Sequence, residues 1–278
     1  MENLKQYTHC YSLTAADMNN EYRMTASAVL LYYQDCWARY MSCLNMAAFD
    51  LVHHGLMWII SEFNAAWDEG EAYWSEEVIV KVWNSELTGL RLYADFVIAK
   101  KDGTQVAHGS GCWTLLDISC HRPVSISDVL DTDRLAVTEG SERHKKVRIP
   151  AATETILETE HKVNPINLDF NGHVNNRTYL NIAMQTVEGG EMSGLTIKNL
   201  TIRWLRETFL GDMLVCRLCR VSMPADVADG KQTGGNQTGG SEAYLHLINK
   251  GDETVAQVYA VLEPRRSTTI IDTVAPRD

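Results

Sequence analysis

No uninterrupted apolar run in this 278-residue sequence approaches the roughly 18 residues that a membrane-spanning helix requires. The opening Met1-Glu-Asn-Leu-Lys-Gln6 lacks the basic-then-apolar pattern of a secretory signal, and no Arg- and Ser-rich transit segment precedes the first patterned stretch, so a cytoplasmic location is expected. Positive charge is scarce: 25 Lys and Arg face 36 Asp and Glu, a formal net charge of −11. Broad nucleic-acid binding, which needs a cationic face to neutralise phosphates, is thereby excluded. The seven cysteines (Cys10, Cys36, Cys43, Cys112, Cys120, Cys216 and Cys219) are odd in number and scattered, which fits reduced thiols better than a disulfide framework. Cys216-Arg-Leu-Cys219 is a lone CxxC on a strand-like run, without the second ligand pair that zinc needs. No glycine-rich phosphate loop, G-x-S-x-G or H-E-x-x-H occurs, which removes nucleotide, serine-hydrolase and zincin chemistry; neither metal nor cofactor is expected.

What remains is an ordinary globular composition, 45% hydrophobic and 22% charged, with enough chain for one large or two medium units. The order of elements repeats. Thr25 to Leu44 carries Val29, Leu30, Tyr33, Trp37, Tyr40 and Met41 at helical spacing, and strand-like runs follow at Ala72 to Trp83, Leu90 to Ala99 and Gln105 to Leu116. In the second half a helix over Asn176 to Val187 precedes runs at Leu195 to Leu205, Asp212 to Val221, Ala243 to Asn249 and Val255 to Leu262. The turns Lys101-Asp-Gly103 and Lys250-Gly-Asp252 match, as do Val106-Ala107 and Val255-Ala256 after them. A helix followed by an antiparallel meander, twice over, reads as a duplicated α+β unit. The expected organisation is a first unit over 1–130, a linker over 131–150 and a second unit over 151–278. The stretch 224–241, with Gln-Thr-Gly-Gly at Gln232 and again at Gln237, reads as a surface insertion between strands. His53-His54, with no carboxylate at ligand spacing, reads as local packing or loop, and Trp58, Trp67, Trp74 and Trp83, with no basic stripe among them, read as core or pocket wall.

The segment Asp169-Phe-Asn171-Gly-His173-Val-Asn175-Asn176 holds the chemistry. An extended backbone there would send the carboxylate, carboxamide and imidazole out of one face. Asn175 or Asn176 would cap the following helix, whose first N–H groups would point back at the cluster. Such a set can activate water and hold an oxyanion, although the same residues are ordinary formers of turns and caps. In the first half, Asp17-Met-Asn19-Asn-Glu21 echoes the segment weakly, with Glu in place of His, so one reactive site is expected, in the second half.

The string Leu168 to Asn176, followed by Tyr179, closely resembles the signature of acyl-acyl carrier protein (acyl-ACP) thioesterases, the double-hotdog enzymes of plants and bacteria. The family's basic-Glu pair falls on Arg206-Glu207, 34 residues beyond His173, and its first-half landmarks on Trp113, Asp117 and Arg122-Pro123. The resemblance implies a tandem hotdog fold, two helix-wrapped antiparallel sheets forming an internal pseudo-dimer. It also implies hydrolysis of fatty acyl-carrier thioesters that ends fatty-acid synthesis, with Asp169, Asn171, His173 and Glu207 as active-site residues. Glu207 is the preferred general base toward water, with Asn171 positioning that water or the oxyanion, Asp169 orienting or pairing with His173, and His173 polarising or shuttling a proton; Asp169 as base or nucleophile is an equally valid assignment. Thr208 stands where plant members often carry Cys, which speaks against a cysteine nucleophile, and Ile182 and Gln185 replace the plant-like Trp and Glu of the helix. The implied partner is an acyl carrier protein bearing a phosphopantetheine-linked acyl chain. Because carriers are acidic, Arg143, Lys145, Lys146 and Arg148 are the candidate docking cluster. Coenzyme A thioesters, a hydratase or dehydratase reaction, a non-catalytic acyl-binding module, and assembly as a homodimer stand as alternatives to be separated by experiment.

Overall fold

The computed structural model describes residues 4–138, 147–187, 194–222 and 241–264. Eleven strands form one sheet: β1 (Tyr7–Ser12), β2 (Leu56–Trp67), β3 (Glu77–Thr88), β4 (Arg91–Lys100), β5 (Gln105–Asp117), β6 (Arg122–Pro123), β7 (Ala152–Lys162), β8 (Leu195–Trp204), β9 (Met213–Val221), β10 (Glu242–Lys250) and β11 (Glu253–Pro264). Helices α1 (Ala26–Cys43), α2 (Ala48–Val52), α3 (Ile126–Val129) and α4 (Asn176–Met184) complete it. The strand order is β1-β3-β4-β5-β2-β8-β11-β10-β9-β7, with β6 beside β5. Two five-stranded halves of like order therefore meet at β2 and β8. This is the α+β tandem hotdog that the repeat and the resemblance predict.

The seam is antiparallel, with Glu62 opposite Arg203 and Ala66 opposite Asn199. Trp67 pairs with Ala107, and Trp204 with Ala256, so the two tryptophans end their central strands at equivalent places. The helices meet across the same axis: Arg177, the second residue of α4, donates from Nε to Oγ of Ser27, the second residue of α1, at 3.0 Å.

The helix α1 forms because Thr25 caps it, its hydroxyl accepting from Ala28 N–H at 3.2 Å, and because an apolar stripe from Val29 to Met41 has a sheet to bury against. Tyr33 lies flat on β5 only because residue 111 is glycine, where a Cβ would sit 2.2 Å from the Tyr33 hydroxyl. Both expected meander turns are present, with Gly103 and Gly251 at φ +91° and +58°.

Besides the two-residue β6, three strands escape the sequence pattern. The edge strands β1 and β7 leave much of their surface exposed, and β2 at the seam is half-covered on both faces, so none reads as an apolar strand. The run expected from Ala72 begins as β3 only at Glu77, because Ser75 turns the chain at φ +65°. Of the basic cluster, Arg143, Lys145 and Lys146 lie outside the described residues, as does all but Ser241 of the glycine-rich stretch; Arg148 is described and exposed.

Candidate active site

Asp169 opens a tight turn that Val174 closes. Its Oδ1 accepts from the backbone N–H groups of Asn171 at 2.8 Å and His173 at 3.3 Å, while its own N–H donates to the His173 carbonyl at 2.8 Å. Gly172 occupies φ +78°, a conformation costly for any residue with a side chain. The extended backbone that the alternating polar residues suggest is thus replaced by a turn, because the carboxylate satisfies two N–H groups that a strand would have to pair elsewhere. Asn175 is the cap of α4, its side-chain oxygen accepting from Arg177 N–H at 2.9 Å.

The turn is tied to the chain leaving β8. His173 bridges Phe209, and Val174 N–H donates to the Thr208 carbonyl at 2.9 Å. That pairing carries Glu207 across to the imidazole, with His173 Nδ1 at 3.5 Å from Glu207 Oε1. The separation is long for a hydrogen bond and short for an electrostatic contact. His173 is largely sheltered, and the Glu207 side chain is about 39% exposed.

Asp169, Asn171, His173 and Glu207 all line one cavity of about 180 Å³. Asn176, the first residue of α4, and Tyr179 line it as well. The opposite wall comes from the first half: Met57, Trp58 and Ile60 of β2, and Trp113 of β5. Those indoles are fixed, since Trp58 Nε1 donates to the Met46 carbonyl at 2.9 Å and Trp113 Nε1 to the Tyr33 hydroxyl at 2.8 Å. Trp37 stacks on Trp113 with centroids 3.8 Å apart.

Two residues next to the set gain meaning from the structure. Tyr179 and Thr208 share a buried hydroxyl–hydroxyl hydrogen bond of 2.7 Å, and burial holds the Tyr179 phenol above its ordinary pKa. The Thr208 side chain therefore braces the segment that carries Glu207, a role that residue type alone does not reveal. Asp169, expected to orient or pair with His173, engages its backbone N–H, while the imidazole ring faces Glu207.

The first half contains the same turn with other chemistry. Asn19 Oδ1 accepts from Glu21 N–H at 2.9 Å and Arg23 N–H at 3.1 Å, Tyr22 takes φ +61°, Arg23 bridges Tyr73, and Met24 N–H donates to the Ala72 carbonyl at 2.9 Å. These bonds pair Asn19 with Asp169, Glu21 with Asn171, Arg23 with His173 and Glu71 with Glu207. The sequence echo that begins at Asp17 is therefore displaced by two residues. Asp17 instead accepts from Thr14 N–H and from the Tyr32 hydroxyl, both at 2.8 Å. Where the second half sets an imidazole against a carboxylate, the first sets a guanidinium: Arg23 Nη1 lies 2.5 Å from Glu71 Oε1, in a smaller cavity of about 80 Å³.

Sequence models of two domains match the chain, the acyl-ACP thioesterase N-terminal domain over residues 4–132 and the acyl-ACP thioesterase C-terminal domain over residues 151–259. Similar solved structures include a Lactobacillus plantarum protein provisionally assigned as an oleoyl thioesterase (TM-score 0.79, 19% identity, 96% of this chain and 99% of that one). An acyl-ACP thioesterase from Bacteroides thetaiotaomicron aligns with TM-score 0.76 and 18% identity over 95% of this chain and 100% of that one. The 12:0-ACP thioesterase from Umbellularia californica aligns with TM-score 0.74 and 16% identity over 94% and 98%. At these identities the structural likeness speaks for the fold. No curated protein matches the chain.

Proposed function

The chain belongs to the acyl-ACP thioesterase family, and on that footing we propose that the cavity holding Asp169, Asn171, His173 and Glu207 is where it hydrolyses acyl-carrier thioesters. The observation that carries the assignment is the facing of the His173 imidazole and the Glu207 carboxylate across 3.5 Å, with Asn171 and the start of α4 on the same cavity.

In this reading Glu207 takes a proton from water as the water oxygen attacks the thioester carbonyl. The charge that develops on the carbonyl oxygen is met by the Asn171 carboxamide and by Asn176 N–H at the positive end of α4. Collapse breaks the C–S bond, and the proton held by Glu207 passes through the His173 imidazole to the departing sulfur, leaving a free fatty acid, the carrier thiol and both side chains in their starting states. A thiol leaves readily, with a pKa near 8.5, so little acid assistance is needed. Glu207 is favoured over Asp169 as base because Asp169 Oδ1 is already committed to two backbone N–H groups. Catalytic contacts commonly tighten when substrate binds, which accommodates the long separation between His173 and Glu207.

The broader organisation follows: a first unit (1–130) that walls the acyl pocket, a linker (131–150) whose Arg143, Lys145, Lys146 and Arg148 dock the carrier, and a second unit (151–278) that carries the reactive groups. The setting is the cytoplasm, at the end of fatty-acid synthesis. Thiol release from acyl-ACP by the native protein and by Glu207→Ala tests the proposal; equal rates would remove Glu207 from it. Parallel assays with matched coenzyme A esters decide the donor.

A further inference from the structure

Two aromatic rings stand out from the surface and face one another across the two halves. Phe49 of α2 and Phe170 of the 169–174 turn stack with centroids 6.2 Å apart and planes 22° from parallel, yet they are 79% and 80% exposed. Water-facing phenyl rings contribute nothing to the core, and a cluster of them marks a contact surface. Phe170 belongs to the turn that lines the reactive cavity, and Phe49 to the helix that precedes the cavity's β2 wall. Phe170 lies between Asp169 and Asn171, and α2 runs through a short turn into Met57–Ile60. Phe209, half exposed, sets its ring edge-on to His173 at 5.2 Å, extending the apolar rim to the imidazole itself.

We propose that Phe49 and Phe170 receive the pantetheine arm of the thioester substrate at its neutral gem-dimethyl and amide portion. The arm is the part of an acyl-carrier thioester that must cross this rim to bring sulfur to His173 and Glu207. Its flat amides and methyl groups suit two aromatic faces. Charge selects against the other occupant: Asp169 and Glu207 line the cavity beside the pair, the Arg206 guanidinium on the same cavity is already held by Glu253 at 2.8 Å, and the acidic surface of a carrier protein would meet like charge there. The inference rests on the thioesterase reading and adds to it the feature that recognises the arm.

The test uses two small thioesters of one acyl chain, acyl-pantetheine and acyl-N-acetylcysteamine, the second lacking the pantoyl portion. Phe49→Ser and Phe170→Ser should each raise KM for acyl-pantetheine about fivefold relative to the KM change seen with acyl-N-acetylcysteamine, as expected for loss of one apolar contact. Phe49 lies far in sequence from the reactive turn, so its variant separates arm binding from disturbance of that turn. Equal KM changes for both esters overturn the inference. So does a change confined to full acyl-ACP, which would assign the rim to the carrier's protein surface, or loss of a dimer with both KM values unchanged, which would assign it to a second copy of the chain. If the native protein cleaves neither ester nor acyl-ACP, the thioesterase reading itself fails and the arm contact falls with it.

Discussion

Arg23 and His173 occupy the same position in two copies of one turn, each bridged to the chain that follows its central strand and each facing a glutamate. A guanidinium stays protonated and cannot exchange a proton near neutral pH, whereas an imidazole can. On the proposed assignment, duplication has kept the scaffold and left a proton-exchanging side chain at this position in one copy only.

Replacing Arg23 or Glu71 with Ala should leave kcat within about threefold of native, while His173→Ala should lower it by about a hundredfold or more, as loss of an acid–base group does. The first-half variants should instead cost stability on the order of 1–2 kcal/mol, below the value for a fully buried pair because Glu71 is about 36% exposed. Denaturant titration beside steady-state kinetics separates the two effects.

Asn19 also supplies a built-in control for Asp169. Its side-chain oxygen accepts the same two backbone N–H bonds, so Asp169→Asn should preserve the turn and keep activity within about tenfold, whereas Asp169→Ala should lose about a hundredfold. If Asn is as damaging as Ala in a folded protein, Asp169 works through its charge, as base or nucleophile, and the assignment of Glu207 is wrong.

Thr208→Ala looks silent from sequence, since Thr only replaces the Cys of plant members. With Thr208 fully buried and bonded to Tyr179, the variant should cost about 1 kcal/mol and several-fold in kcat, and Thr208→Ser should restore both. Urea midpoints of the three proteins provide the check.

His246 gives the fold an acid limit apart from catalysis. Buried in β10, it contacts Thr186 Oγ1 at 2.8 Å through Nε2 and the Val258 carbonyl at 3.3 Å through Nδ1, and burial lowers its pKa to about 4. The unfolded chain takes up this proton near pH 6.5 and the folded chain only near 4. The stabilisation is therefore intact above pH 6.5 and is lost progressively as pH falls to 4, by about 3 kcal/mol in all. Melting curves of native protein and His246→Gln should show a shallower decline for the variant across that window.

The sequence carried the repeat well because both amphipathic helices and the hairpin turns leave local periodic marks. It carried the four polar residues that the fold gathers on one cavity because they fall in two short motifs. It did not carry β2, whose half-covered faces lack alternation, although β2 supplies the wall opposite the reactive groups. Nor did it carry the pairing of Arg23 with His173, which rests on backbone hydrogen bonds shared by turns of unlike composition. Phe49 and Phe170 likewise pair only once the fold brings α2 beside the second-half turn.

The most direct test of the account is the single-turnover rate of thiol release from acyl-ACP by the native protein and by Glu207→Ala, each shown folded by its melting curve. The account predicts rapid release by the native protein and a loss of about a hundredfold in the variant, as removal of a general base brings. An unchanged rate in Glu207→Ala would contradict it.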